Sequence, residues 1–323
     1  MKKNSSYMVF VAFLFFGIML AICSNNWLGC WMGIEMNMVS FLPFMMNKMS
    51  IYSSESMIKY FIIQSMGSSL LFLFVIILGM LFQVKYFIVI SLMIKIGSPP
   101  FHYWYVSVID GLSWLVSFLI MTIQKFIPII LLSYLDMSLI LFIVLSCIWG
   151  SLGGLCYSSI RKILAYSSIY NLSWIFSGVM LMNYMWLVYF LIYSLSLFLT
   201  CYLFWMNNMN YLNQIFILFN NSVKSLMLMI IFMSMGGLPP FLGFFPKFMM
   251  IYCLLINKMY FLCLILVMTA LLVLFYYLRI MMAGLMMNNM SLKMSDLSLN
   301  NTLFMVNSLL IGFMVVALFN IMN

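Results

Sequence analysis

The sequence predicts an all-α polytopic membrane protein of about eleven transmembrane helices, a single transmembrane domain over 1–323 folded as an inverted repeat with two discontinuous helices. Three observations carry that expectation. The first is composition: 67% of the 323 residues are hydrophobic and only 6% are charged, with a mean hydropathy of +1.19. Soluble domains carry about a quarter charged residues, so this chain cannot cover a soluble surface. The second is the regular return of apolar runs long enough to cross a bilayer. The third is a pair of matched helix breaks: Gly97-Ser98-Pro99-Pro100-Phe101 is echoed by Gly237-Leu238-Pro239-Pro240-Phe241.

A crossing helix needs about 20 apolar residues. The runs fall at 7–23, 26–46, 57–81, 86–105, 114–135, 137–156, 160–182, 184–206, 222–256, 259–283 and 303–321. The first follows Lys2-Lys3 and could imitate a signal peptide, but no small-residue cleavage site is convincing, so it reads as a span. The second carries Glu35, and the fourth carries Lys95 just before the first break. The fifth holds Lys125 and Pro128, read as a further break. The ninth is too long for one helix and divides at Gly236 to Pro240 into two half-helices, with Lys247 beyond the break. The polar stretches Asn207 to Asn221 and Met286 to Asn301 are too short for an extramembrane domain.

Lysine and arginine set the orientation. With the N-terminus on one side, that side gathers Lys2, Lys3, Lys48, Lys59, Arg161, Lys162, Lys224, Arg279 and Lys293, leaving Lys85 and Lys258 on the other. The first side is the inside, and an odd span count puts the C-terminus opposite. The breaks lie 140 residues and five spans apart, so their helices cross in opposite directions. That is the mark of an inverted repeat, with halves at 7–135 and 137–283 and the last helix, 303–321, outside them.

Composition also excludes functions. The +9 formal charge is dispersed, which argues against nucleic acid. Seven cysteines without a C-x-x-C pattern and a single histidine argue against a metal or iron–sulfur site. No glycine-rich nucleotide loop is present. The abundance of Met, Phe, Tyr and Lys over Ala and Arg is that of A/T-rich codons, and the 37 methionines suggest a code that reads an extra codon as Met. That points to an animal mitochondrial gene, with methionine as apolar filler.

The candidate functional residues are the charges at mid-span. A charge at the bilayer centre costs about 2.5–3.5 kcal/mol even on the lenient scale, so such residues pair or face water. Glu35, Lys95, Lys125 and Lys247 are of this kind. Charges at span ends, such as Lys59, Lys85, Lys224, Lys258 and Arg279, can reach the interface and need no function. Glu35 and Lys95 are a candidate pair: apart, the lysine can lose its proton, and together it regains it. A static ion pair holding helices in register is the alternative. His102, after the first break, could relay protons or simply bond a freed carbonyl. Asp110 and Asp136 read as interfacial.

These stretches together resemble the family of mitochondrial NADH dehydrogenase subunit 2, antiporter-like subunits of the membrane arm of respiratory complex I. The resemblance covers essentially the whole chain. It rests on Asn26 to Glu35, Lys95 to Trp104, Gln124-Lys125, Arg161 to Ile169 and Gly236 to Lys247. It implies an antiporter-like fold shortened to eleven helices, in the mitochondrial inner membrane, with the N-terminus facing the matrix and the C-terminus the intermembrane space. It implies that Glu35, Lys95, Lys125 and Lys247 belong to a hydrated charged axis for proton translocation coupled to electron transfer from NADH to ubiquinone. It also implies partner subunits on both flanks, one of them antiporter-like. No cofactor is expected on this chain; NADH, FMN, iron–sulfur clusters and ubiquinone are expected on other subunits. Two departures stand out: Asn171 occupies a position where the family commonly has histidine, and Pro99 one where a small residue is usual. A structural membrane-arm spacer and a stand-alone cation/proton antiporter remain alternative functions.

Overall fold

The computed structural model describes residues 5–46, 50–78, 85–215 and 222–285. The predicted last helix at 303–321 and Lys2, Lys3, Lys48 and Lys293 lie outside the described residues. All regular structure described is helical. The helices are α1 (Ser5–Cys23), α2 (Trp27–Met45), α3 (Ile51–Leu78), α4 (Lys85–Ile96), α5 (Tyr103–Asp110), α6 (Trp114–Met121), α7 (Ile123–Ser133), α8 (Ile140–Cys156), α9 (Ile160–Met180), α10 (Met185–Met206), α11 (Ser222–Gly236), α12 (Phe244–Ile256) and α13 (Tyr260–Leu285). Among the described residues, four segments are long and apolar enough to cross a membrane: Ile51–Ile77, Trp114–Ser133, Met185–Met206 and Tyr260–Met282.

The chain divides into two compact units, Met1–Phe142 and Ile143–Asn323. In the first, α1 and α2 pack most intimately. Gly33 faces Ala21 and Gly17 across the pair so closely that a Cβ at Gly33 would lie 2.7 Å from the Ala21 backbone nitrogen. Small residues let membrane helices meet backbone to backbone, where lipid offers no hydrophobic drive to hold them. α3 packs on α2, α4 and α5, and α7 packs on α4.

In the second unit α9 is the central helix. Its residues from Ile163 to Val179 are buried all round, and it packs against α10, α12 and α13. A helix enclosed on every side is normally apolar throughout. α9 instead buries Ser167, Ser168, Tyr170, Asn171, Ser173 and Ser177.

The two Gly-x-Pro-Pro-Phe stretches end their helices in the same way. α4 stops at Ile96 and α11 at Gly236. The following glycines adopt the left-handed region, Gly97 at φ +75° and Gly237 at φ +80°. Ser98 N–H donates to the Met93 carbonyl and Gly97 N–H to that of Ile94; Leu238 donates to Met233 and Gly237 to Ser234. Both are Schellman motifs, which satisfy carbonyls a helix end would otherwise leave free. In each, the phenylalanine N–H then donates to the residue before the first proline, Phe101 to Ser98 and Phe241 to Leu238.

Pro128 does not break its helix. It lies inside α7, and the interruption is at Thr122, between α6 and α7. Proline crowds the carbonyl four residues before it and gives it no N–H partner. For Pro128 that carbonyl belongs to Gln124, in the first turn of α7. The disturbance is therefore taken up by starting the helix afresh at Ile123, while Thr122 bonds its hydroxyl to the Phe118 carbonyl at 2.8 Å.

Candidate functional site

The first unit gathers Glu35, Lys95, Lys125 and His102. Lys95 lies in the last turn of α4 and is buried. Its amine makes no hydrogen bond. Two residues of α3 hold it in place. Gln64 donates to the Lys95 backbone carbonyl at 2.9 Å, and Gly67, one turn on, leaves room for the side-chain stem, since a Cβ there would lie 2.9 Å from Lys95 Cγ. Glu35 is half-buried on α2. It forms no ion pair with Lys95; among the described residues the ion pair is Glu55 with Lys59, two exposed side chains one turn apart on α3. The charge of Glu35 nonetheless reaches both Lys95 and Tyr60. The expected partners are thus in electrostatic range without being in contact.

Lys125 is fully buried in α7, with its amine 4.3 Å from the centre of the Tyr105 ring. Tyr105 packs in turn against Gly97, so a cation–π contact ties Lys125 to the first break. His102 starts α5 within the same break. It is buried, stacks on Tyr103 with ring centres 4.4 Å apart, and interacts with the Pro100 backbone. Beside these charges runs a neutral polar chain: the Tyr60 hydroxyl donates to Gln124 Oε1 at 3.1 Å, and Gln124 Nε2 donates to Asn37 Oδ1 at 3.0 Å.

The second unit holds Lys247, on α12. Its buried amine donates to the Met235 carbonyl at 3.1 Å and the Gly236 carbonyl at 2.9 Å. These carbonyls end α11, where the helix dipole favours a cation. Lys247 also lies 5.9 Å from the Tyr170 ring centre. It shares a small cavity with Asn171, Tyr189, Tyr193, Ser196 and Ser234, in which the space open to a water-sized sphere is about 20 Å³, room for about one water. Asn171 is fixed within that wall: it accepts from the Tyr189 hydroxyl at 2.7 Å and donates to the Ser167 carbonyl at 2.9 Å.

Sequence reasoning missed Gln64, Gly67, Tyr60 and Asn37. The signal for three of them was the same as for the charges, a polar side chain inside an apolar run. Gly67 carried no signal, because its role depends on which helix packs against it. Among the described residues no three His, Cys, Asp or Glu side chains converge as a metal site would require.

Buried lysines beside paired helix ends, inside an all-helical and strongly apolar chain, define a membrane subunit of the antiporter type, and the family described as NADH:quinone oxidoreductase/Mrp antiporter, TM, matches residues 78–273. The fold agrees with that of a chain in respiratory complex I from Thermus thermophilus, 17% identical with a TM-score of 0.86 over 98% of this chain and 79% of that one. It also agrees with a chain of the Mrp complex from Dietzia sp., 17% identical with a TM-score of 0.72 over 84% and 59%. NADH-ubiquinone oxidoreductase chain 2 of Anopheles gambiae is 39% identical across 93% of this chain and 94% of that one. The protein of the same name from Locusta migratoria is 38% identical across 89% and 87%. The chain belongs to the NADH-ubiquinone oxidoreductase chain 2 family.

Proposed function

We propose that the chain is a core membrane-arm subunit of respiratory complex I, contributing to proton translocation across the mitochondrial inner membrane as electrons pass from NADH to ubiquinone. The observation that carries this is Lys95: a buried amine without a hydrogen-bond partner, within reach of the Glu35 charge, at the end of a helix closed by a Schellman break. A group so placed is sensitive to any movement of its neighbours. Lys95 with Glu35 gates, Lys125 relays, and Lys247 passes charge on, with His102 as a further proton carrier. Redox chemistry belongs to other subunits, which reach this one through conformation or charge. Moving one charge against 100 mV costs about 2.3 kcal/mol. Two unit charges 4 Å apart interact by about 4 kcal/mol at an effective dielectric of 20, so making or breaking one such pair is sufficient.

The finer architecture belongs to the same reading. Eleven transmembrane helices form an inverted repeat, 7–135 and 137–283, with 303–321 outside it, and α4–α5 and α11–α12 are its discontinuous helices. The matching hydrogen bonds of the two breaks support it. The N-terminus faces the matrix and the C-terminus the intermembrane space, the gene is mitochondrial, and other membrane-arm subunits, one of them antiporter-like, lie on both flanks. The chain binds no cofactor of its own.

Lys125→Met in the assembled complex tests the relay. The expected outcome is loss of NADH-driven proton pumping with the complex still assembled. Native pumping with intact electron transfer sinks the relay and leaves a structural spacer. Sodium-for-proton exchange by the reconstituted chain alone would instead establish a stand-alone antiporter.

A further inference from the structure

One helix start in the first unit has little backbone support. α7 begins after Thr122, whose φ −120° and ψ −78° lie outside the helical range. The first N–H groups of a helix have no partner within it; that of Lys125 turns back to the Thr122 carbonyl at 3.0 Å. Later in the helix, Pro128 brings no N–H to the Gln124 carbonyl. The first turn of α7 thus has a break before it and a proline after it, and it carries Lys125.

What ties this turn to its surroundings is Gln124. Its amide accepts from the Tyr60 hydroxyl of α3 at 3.1 Å and donates to Asn37 Oδ1 of α2 at 3.0 Å, so one side chain is bound to two other helices. Tyr60 and Asn37 are both buried, and a buried polar group gives up its partner only at the cost of an unmet hydrogen bond. Neighbouring residues on a helix point about 100° apart. With Gln124 turned to α2 and α3, Lys125 is turned to α5, its amine 4.3 Å from the centre of the Tyr105 ring. Residues four apart share a helix face, and the face of α3 that carries Tyr60 also reaches Lys95: Gln64 donates to the Lys95 backbone carbonyl.

We propose that Gln124 is a positioning residue for Lys125: tied to Tyr60 and Asn37, it sets the rotation of the first turn of α7 and so holds the Lys125 amine over the Tyr105 ring. Through it a shift of α3 moves Lys95 and Lys125 together, because Gln64 and Tyr60 grip the two lysine-bearing helices from one face of α3. Gln124 is not itself a proton carrier, because a neutral amide held at both ends by hydrogen bonds neither gains nor releases a proton. The inference rests on the relay role proposed above for Lys125.

The test is Gln124→Met, which keeps the length and helix propensity of the side chain and removes both hydrogen bonds. NADH-driven pumping in inner-membrane vesicles, divided by assembled complex on native gels, is expected to fall about two- to fivefold, the worth of one cation–π contact. A residue that only stabilises the fold lowers the amount of complex and leaves this ratio native. Tyr105→Leu removes the ring itself, and the double variant is expected to pump no less than the poorer of the two singles, because both changes release the same amine. Losses that multiply in the double variant overturn the inference. A native ratio in Gln124→Met with impaired pumping in Lys125→Met overturns the positioning role alone; native pumping in both overturns the relay as well. Should Gln124→Met or Tyr105→Leu fail to assemble, Tyr60→Phe decides, since it removes one oxygen and keeps the ring against Phe41 and Trp104. Pumping per complex below native in Tyr60→Phe supports the inference, and native pumping overturns it.

Discussion

Replacing Gly67 with alanine perturbs the position of Lys95 without touching its charge. The new methyl carbon would lie 2.9 Å from Lys95 Cγ, 3.4 Å from Lys95 Cε and 3.6 Å from Ile94 Cγ2. Carbon atoms settle at about 3.5–4.0 Å, so the lysine stem must yield by roughly 0.6–1.1 Å. A side chain forced about 30° off its rotamer loses about 0.5–1.5 kcal/mol, which reduces occupancy of the native position about two- to tenfold. Helix propensity works the other way, since alanine in α3 is better than glycine by about 1 kcal/mol. Folding is therefore expected to be nearly unchanged while function falls. The assay is NADH-driven proton uptake by inner-membrane vesicles, normalised to assembled complex on native gels, with an expected loss of about two- to tenfold. Gly236→Ala is the control: the nearest atoms to its methyl would be 3.8 Å away, an ordinary contact, and native pumping is expected. Native pumping in Gly67→Ala, alongside impaired pumping in Lys95→Met, would refute the idea that α3 sets the position of Lys95.

Two further outcomes follow from the geometry. Gly237→Ala places a side chain at φ +80° and 2.9 Å from Lys247 Cδ and Nζ; the backbone term alone is about 1–2 kcal/mol, and native gels are expected to show less assembled complex than for Gly236→Ala. Gln124→Leu removes the link between Tyr60 and Asn37, leaves both buried groups short of a partner at about 1–3 kcal/mol each, and is expected to lower the inactivation temperature of the complex.

Among the described residues, helices lie along the apolar runs the sequence shows, because a 20-residue apolar run leaves little choice in a bilayer. Their ends were less legible. The third helix was expected to start at 57 and starts at Ile51, because the serines there do not act as loop formers. Ser54 and Ser56 bond their hydroxyls to carbonyls three residues back within the helix, Ser53 bonds that of Ser50 just before it, and Glu55 pairs with Lys59 a turn later. The two Gly-x-Pro-Pro-Phe breaks were legible for a different reason: a left-handed residue demands glycine, and proline cannot continue the helix. Pro128 shows the limit of that logic, since a proline six residues into a helix can be absorbed by restarting the helix before it. The lysines stood out by charge alone. What surrounds them did not, because the contacts of Gly67, Gln64 and Tyr60 depend on how α3 packs against α4 and α7.

The two breaks are alike in backbone, yet their lysines differ, and the difference follows from where each stands in the sequence. Side chains on a helix lean toward its N-terminus. Lys95 precedes its break by two residues, so it leans back along α4, away from the carbonyls that end that helix. Its amine is left among buried side chains, with the Glu35 charge in range and no hydrogen bond. Lys247 follows its break by ten residues and sits on the next helix. The same lean carries it toward the break, where it bonds the last carbonyls of α11. One motif thus goes with a hydrogen-bonded lysine amine in the second unit and an unbonded one in the first. An amine with no hydrogen bonds to surrender responds to a neighbouring charge at lower cost than one that must give up two, each worth about 1.5–3 kcal/mol when a charged group is involved. Of the two, Lys95 is therefore suited to gating and Lys247 to holding and releasing a proton against a fixed anchor.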